Sequence, residues 1–307
     1  MITLCDEKIS HHFSNSFTTQ RSIAIYDTTL RDGEQAPGFS MYADAKILLA
    51  QQLMATGVDV IEAGFPMTSP SDFAAVRTIA QLADDTCISA LARAKKTDID
   101  CAWEAVSAAQ NPRLHIFLPA SDIQIQYQLG KNRSYVLHEA CQAIDYARRY
   151  TENVQFSAMD ATRADQHFLA MLYQEAILTG AQVINISDTV GYFLPQEMTA
   201  LVHFLQDAVL SIDTVQLSVH CHNDLGLAVA NSLAAIQAGA QQVECTLNGI
   251  GERAGNATFE KIINALFICQ EEFTVSTQIN YYELLKAIQL LPKLYCVESK
   301  KECQIPN

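Results

Sequence analysis

The chain has 307 residues, 49% apolar and only 18% charged, a balance that excludes disorder and suits a large buried core. Lysines and arginines number 20 against 34 aspartates and glutamates, and a formal charge of −14 would repel phosphate backbones and anionic membranes, so nucleic acid and membrane are not expected partners. The nine cysteines are odd in number and form no Cys-x-x-Cys pair, which fits reduced thiols in a cytoplasmic protein, and no window approaches the roughly 20 apolar residues of a membrane span.

In chain order, residues 1–22 show no basic and apolar signal pattern and are expected to be a flexible leader. Short apolar or β-branched runs then recur about every 30 residues: Ile23 to Tyr26, Val58 to Glu62, Cys87 to Leu91, Arg113 to Phe117, Val154 to Ser157, Gln182 to Ile186, Gln216 to His220 and Gln242 to Thr246. Each is followed by a stretch with helical spacing, such as "YADAKILLAQQLMATG" or "LAVANSLAAIQAGA", several of them closing on glycine. Eight strand-helix units predict an α/β fold, a (β/α)8 TIM barrel over residues 23–270. An open doubly wound sheet is the alternative, but the first run is not followed by GxGxxG. Residues 271–307, with "YYELLKAIQLLPKL", are expected to add a short helical extension that packs on the barrel or forms a dimer contact.

Chemistry in such a barrel sits at the C-terminal ends of the strands. Polar residues collect there in "DTTLRDGEQ", "IEAGFP", "NISDTVGY", "HCHND" and "NGIGERAGN". On a strand, side chains two residues apart share a face, so His220 and His222 can converge on one ion while Cys221 points away. Barrel closure brings the turn after the first strand to the same rim, so Asp32 can add a carboxylate, and Asn256 can supply a neutral oxygen. Two imidazoles, a carboxylate and an amide leave positions open for water or a chelating substrate, and zinc, manganese and magnesium all suit such a site. The competing reading pairs Asp32 with Arg31 or Arg253 in a structural ion network.

The segments "YDTTLRDGEQAPGFS", "GVDVIEAGFP", "ALARA", "NISDTVGY" and "SVHCHNDLGLAVANSLAAIQAGAQQVECTLNGIGERAGNA" closely resemble the 2-isopropylmalate synthase family over about residues 23 to 270. Its relatives include homocitrate and citramalate synthases and 3-hydroxy-3-methylglutaryl-CoA lyase. The resemblance implies a Claisen condensation of acetyl-CoA with a 2-oxo acid, 2-oxoisovalerate or similar, followed by thioester hydrolysis and CoA release, in a homodimer. It implies Asp32, His220 and His222 as ligands of a divalent metal ion, with Asn256 a fourth or outer ligand. Arg31 then faces the ketone oxygen as the catalytic residue, and Gln35, His115 and Thr189 hold the oxo acid.

Three departures stand against that pattern. Met159 occupies a position where the synthases carry a glutamate, and strand alternation turns the next residue, Asp160, away unless the chain bulges. Ile116, Pro119 and Ala120 stand where hydroxyl-bearing residues are usual, which either repacks the rim or alters the choice of oxo acid. The chain also reads "LPKLYCVESKKECQIPN" where the synthases continue into a linker subdomain and a regulatory domain. The competing functions are therefore an impaired or partner-dependent homologue, or a carbon-carbon lyase of the same group. The lyases use a cysteine in the glycine-rich loop, however, and "NGIGERAGN" has none.

Overall fold

The computed structural model describes residues 21–294. The expected leader thus lies almost wholly outside the described residues, as does the end of the C-terminal extension. Eight strands close into a barrel: β1 (Ala24–Asp27), β2 (Val60–Gly64), β3 (Cys87–Arg93), β4 (Pro112–Pro119), β5 (Val154–Met159), β6 (Val183–Asp188), β7 (Gln216–Cys221) and β8 (Gln242–Cys245). Every neighbouring pair is parallel, and β8 closes onto β1 with Ala24 opposite Gln242 and Asp27 opposite Cys245. All eight expected runs are strands, and the TIM barrel stands.

Alternation along each strand divides two environments. Ile88, Ala90, Leu114, Ile116, Phe156, Ile184, Ile186, Val219 and Val243 are all completely buried in one continuous core between sheet and helices. Phe156→Ala on β5 is expected to destabilise the protein by about 3–5 kcal/mol in urea unfolding, because the ring's cavity cannot collapse against a closed sheet. A loss under about 1 kcal/mol would contradict this packing.

The opposite parity faces the barrel interior. TIM-barrel interiors are usually filled by branched aliphatic residues, but this one holds Glu62, His115, Gln155, Ser157, Asn185, Ser218, His220, Gln242 and Glu244, all buried. Such groups are tolerated inside mainly when hydrogen-bonded; contacts among them supply most of the partners, Asn185 donating to Ser157 at 2.9 Å, while Oδ1 of Asn185 and Nδ1 of His220 are left without one among the described residues.

The helices return the chain to the bottom of the barrel after each strand: α1 (Ala43–Ala55), α2 (Pro70–Leu82), α3 (Lys96–Val106), α4 (Arg133–Ala147), α5 (Gln166–Thr179), α6 (Pro195–Ala208), α7 (Ala228–Ala238) and α8 (Phe259–Ile268). Local chemistry sets several ends. Ser69 caps α2 by accepting the Asp72 N–H at 3.0 Å with Pro70 next in line, Asp165 caps α5 through the Phe168 N–H at 2.9 Å, and Gly180 ends α5 at φ 113°. A last helix, α9 (Tyr281–Leu294), buries Leu284, Ala287 and Leu291 and lies along α1, where Gln52 donates to the Glu283 carbonyl at 3.0 Å. Arg21–Ser22 pair with Val275–Ser276 beneath the barrel. Among the described residues, no helix is long and apolar enough to cross a membrane.

Candidate metal centre

His220 is the penultimate residue of β7, and His222 follows it in a single antiparallel bridge to Asn256. Because the pair keeps strand alternation, both rings enter the interior while Cys221 is buried in the outer layer. The ring centroids are 4.9 Å apart and the two Nε2 atoms 3.2 Å apart. Closure of β8 onto β1 brings Asp32 against them, its Oδ2 at 3.5 Å from Nε2 of His220 and 3.8 Å from Nε2 of His222. One ligand atom from each of the three lies within 4.8 Å of the others.

The chemistry of this donor set fits a divalent cation. Burial opposes charge on His220, but the adjoining Glu244 and Asp32 raise its pKa above the ordinary imidazole value, so the cluster favours positive charge at this point. His222 is the reverse: burial and the neighbouring His220 lower its pKa to about 4, leaving it a neutral imidazole with a lone pair at pH 7. Burial works against ionisation of Asp32, yet Arg31 and the two histidines hold its carboxyl well below the usual carboxylate range. Two imidazole nitrogens facing one carboxylate at these distances repel unless a proton or a cation lies between them. Nδ1 of His222 and Oδ1 of Asn256 are buried without a hydrogen-bond partner, and Nδ2 of Asn256 is turned to the Ile250 carbonyl at 3.2 Å.

Arg31 links this cluster to a second one. Its Nη1 donates to Asp32 at 2.9 Å and its Nε to Glu62 at 2.6 Å, so Nη2 is engaged by neither carboxylate. The ion pair between Asp32 and Arg31 therefore exists alongside the histidine cluster, whereas Arg253 instead pairs with Asp224 at 2.9 Å. Glu62 also accepts the Thr28 hydroxyl at 2.6 Å and contacts Nδ1 of His115 at 2.6 Å, and Nε2 of His115 lies 2.6 Å from the Ser157 hydroxyl.

The remaining sequence candidates are more dispersed. Thr189 accepts the Asp160 N–H on its hydroxyl at 2.7 Å and keeps its own proton to donate. Gln35 is exposed and lines a cavity of about 240 Å³ with Arg31, Lys46 and Phe65, apart from His115 and Thr189. Asp160 adopts φ 62°, and its carboxylate is taken up by Ser121 and Arg163, so it does not replace a carboxylate at Met159. Ile116 and Ala120 both belong to the core between sheet and helices, because His115 faces inward and its neighbour must face outward, which favours repacking over a change of oxo acid there. Of that trio, only Pro119 has interior parity.

Sequence reasoning missed Glu62 and Glu244. Both are completely or almost completely buried acids, set inside runs read as apolar, and the visible signal was a charge at the inward parity of a strand. Glu244 Oε2 lies 2.9 Å from Nδ1 of His220, and its Oε1 accepts Nε2 of Gln155 at 2.7 Å.

The profile of the HMGL-like family matches residues 22–291, nearly the whole described chain. The chain belongs to the HMGL-like family. Within that family it is similar to 2-isopropylmalate synthases. It is 51% identical over 275 residues to the one from Syntrophus aciditrophicus and 49% identical over 278 residues to the one from Pyrococcus furiosus. These alignments cover 90% and 91% of the chain but 53% and 56% of the relatives, so the chain spans about half the length of the synthases it matches. The HMGL-like fold also matches solved structures. The hydroxymethylglutaryl-CoA lyase from Pseudomonas aeruginosa superposes with a TM-score of 0.75 at 19% identity, covering 89% of this chain and 93% of the lyase. The HMG-CoA lyase from Brucella melitensis does so with 0.75 at 18% identity, covering 89% and 99%.

Proposed function

We propose that the protein is a metal-dependent acyltransferase of the 2-isopropylmalate synthase type, condensing acetyl-CoA with a 2-oxo acid such as 2-oxoisovalerate and releasing CoA. The observation that carries the reading is the convergence of Asp32, His220 and His222 beside Arg31 on one rim of the barrel. Asp32, His220 and His222 would hold a magnesium, manganese or zinc ion, with Asn256 adding its unpartnered amide oxygen. Bound there, the ion would chelate and polarise the oxo acid.

The side chains around it supply the rest. Arg31, fixed by Glu62 and Asp32, aims Nη2 where negative charge develops on the former ketone oxygen, a stabilisation that costs no reorganisation during the reaction. Thr189 offers a hydroxyl proton to a carboxylate oxygen of the oxo acid. His115, held between Glu62 and Ser157, would contact the oxo acid from the barrel interior, and Gln35, which borders the adjoining cavity with Arg31, would contact it from the rim. By its resemblance to that family, the protein would act in leucine biosynthesis as a homodimer in the cytoplasm.

Thiol release from acetyl-CoA by the purified protein, with each metal and a panel of 2-oxo acids, tests the reading. Release that depends on one oxo acid and on added metal is the expected result. No release with any oxo acid that still binds with metal would sink the stand-alone synthase and favour a partner-dependent protein.

A further inference from the structure

The barrel interior beneath the metal cluster is a chain of polar side chains whose donors and acceptors can be assigned from one end. That end is Arg113, buried inside β4, whose guanidinium can only donate. Its Nη1 donates to Oε1 of Gln242 at 2.8 Å and to Oε1 of Gln155 at 3.2 Å, which sets the orientation of both amides. Gln242 confirms the sense by donating its Nε2 to Oε1 of Gln155 at 3.1 Å and to Ser218 at 2.9 Å. Nε2 of Gln155 is thereby turned the other way. It donates one proton to Oε1 of Glu244 at 2.7 Å and directs the other toward Nε2 of His115 at 3.4 Å.

Two tautomers follow. Nε2 of His115 must accept, so its proton sits on Nδ1 facing Glu62. Glu244, an acceptor on both oxygens, has Oε1 committed to Gln155, while Oε2 lies 2.9 Å from Nδ1 of His220, a close contact that departs from straight hydrogen-bond geometry. At that distance a lone pair on Nδ1 would be repelled by the carboxylate whereas a proton there is attracted, so the contact favours neutral His220 with its proton on Nδ1 and the Nε2 lone pair facing Asp32 and His222.

We infer that Glu244 is a positioning residue that locks His220 in the metal-ligating tautomer, its own orientation fixed by the Arg113–Gln155 chain. The inference rests on the metal reading of the site above. A carboxylate behind a histidine ligand fixes ring and tautomer and raises the basicity of the ligating nitrogen. Here the carboxylate is itself held by an interior network that no substrate needs to touch.

Glu244→Gln isolates the effect because it keeps shape but makes one end a donor. With that end toward Gln155, two N–H donors collide; with it toward His220, Nδ1 must accept and the proton moves to Nε2, where it faces the ligand cluster. The expected result is a Mn2+ dissociation constant raised about 10- to 100-fold by calorimetry. Glu244→Asp, which remains an acceptor on both oxygens, should recover part of the loss.

Nitrogen-15 spectra of the metal-free protein, taken at a pH where the His220 ring gives the neutral imidazole signature, read the tautomer without any activity measurement. Wild type should show His220 protonated on Nδ1, and Glu244→Gln should shift it to Nε2. Mn2+ affinity within threefold of wild type in folded Glu244→Gln, or an Nε2-protonated His220 in wild type, would overturn the inference. Wild-type protein that binds no Mn2+ would overturn the metal reading instead, and the spectra would still report whether Glu244 sets the tautomer.

Discussion

Asp32→Asn is expected to weaken Mn2+ binding by more than about 100-fold and to abolish oxo acid-dependent thiol release from acetyl-CoA, while leaving the barrel folded. Residues that only orient a ligand typically cost about 10- to 100-fold in metal affinity when removed, and Asp32 would contact the ion directly. It is also the only carboxylate in the three-residue cluster. The asparagine keeps an oxygen in place but removes the negative charge that offsets a divalent ion between two imidazoles. The fold should survive because Arg31 does not become an unpaired buried cation: Nε stays bonded to Glu62 at 2.6 Å. Calorimetric titration with Mn2+ and a thermal melt of the same samples separate the two effects. Binding within tenfold of wild type would show that His220 and His222 do not share an ion with Asp32.

How far this site could be read from the residues depends on whether a spacing or a long-range contact defines it. His220 and His222 were legible because side chains two apart on a strand share a face, and the 3.2 Å between their Nε2 atoms reflects that rule. Asp32 was legible once a closed barrel was assumed, since β8 must then lie against β1. The barrel itself was visible because parallel strands packed on both faces leave short apolar runs between helical stretches. Glu62 and Glu244 were not seen, although their parity marks them as interior, because a single acid inside an apolar run was read as part of the run. At Ile116 the sequence left repacking and a change of oxo acid open, and the parity that turns His115 inward turns Ile116 outward, which favours repacking. The partners of Asp160 lay beyond any local pattern: Ser121 is about 40 residues away and is brought near by the pairing of β4 with β5.

Asp27→Asn is expected to remove a pH dependence of stability that wild type shows between about pH 4 and 7. Asp27 ends β1, is completely inaccessible, and among the described residues its carboxyl is hydrogen-bonded by the N–H and hydroxyl of Thr29, at 3.0 and 2.9 Å. Burial raises its pKa to about 7; the two bonds from Thr29 pull it back, and Glu62 and Glu260 push it further up. An unfolded aspartate titrates near 3.9, so between these values the folded state holds a proton that the unfolded state has released. Stability is therefore fully present below about pH 4 and is lost as the pH rises through about 7. At 1.36 kcal/mol per unit, the loss has an upper bound of roughly 4 kcal/mol. Asparagine resembles the protonated acid, with one acceptor and one donor end, so the variant should be the more stable protein at pH 8 and nearly equal at pH 4. The difference between the urea unfolding free energies of variant and wild type, followed across this range, cancels the titrating groups that do not sense the Asp27 charge. Parallel curves would mean that the carboxyl ionises without cost and that water reaches it. The position also bears on the site, because Thr29, which binds Asp27, accepts the Leu247 N–H at 2.9 Å and so joins the turn carrying Arg31 and Asp32 to the loop after β8. A buried acid at this junction lowers stability at neutral pH in the segment that carries Arg31 and Asp32.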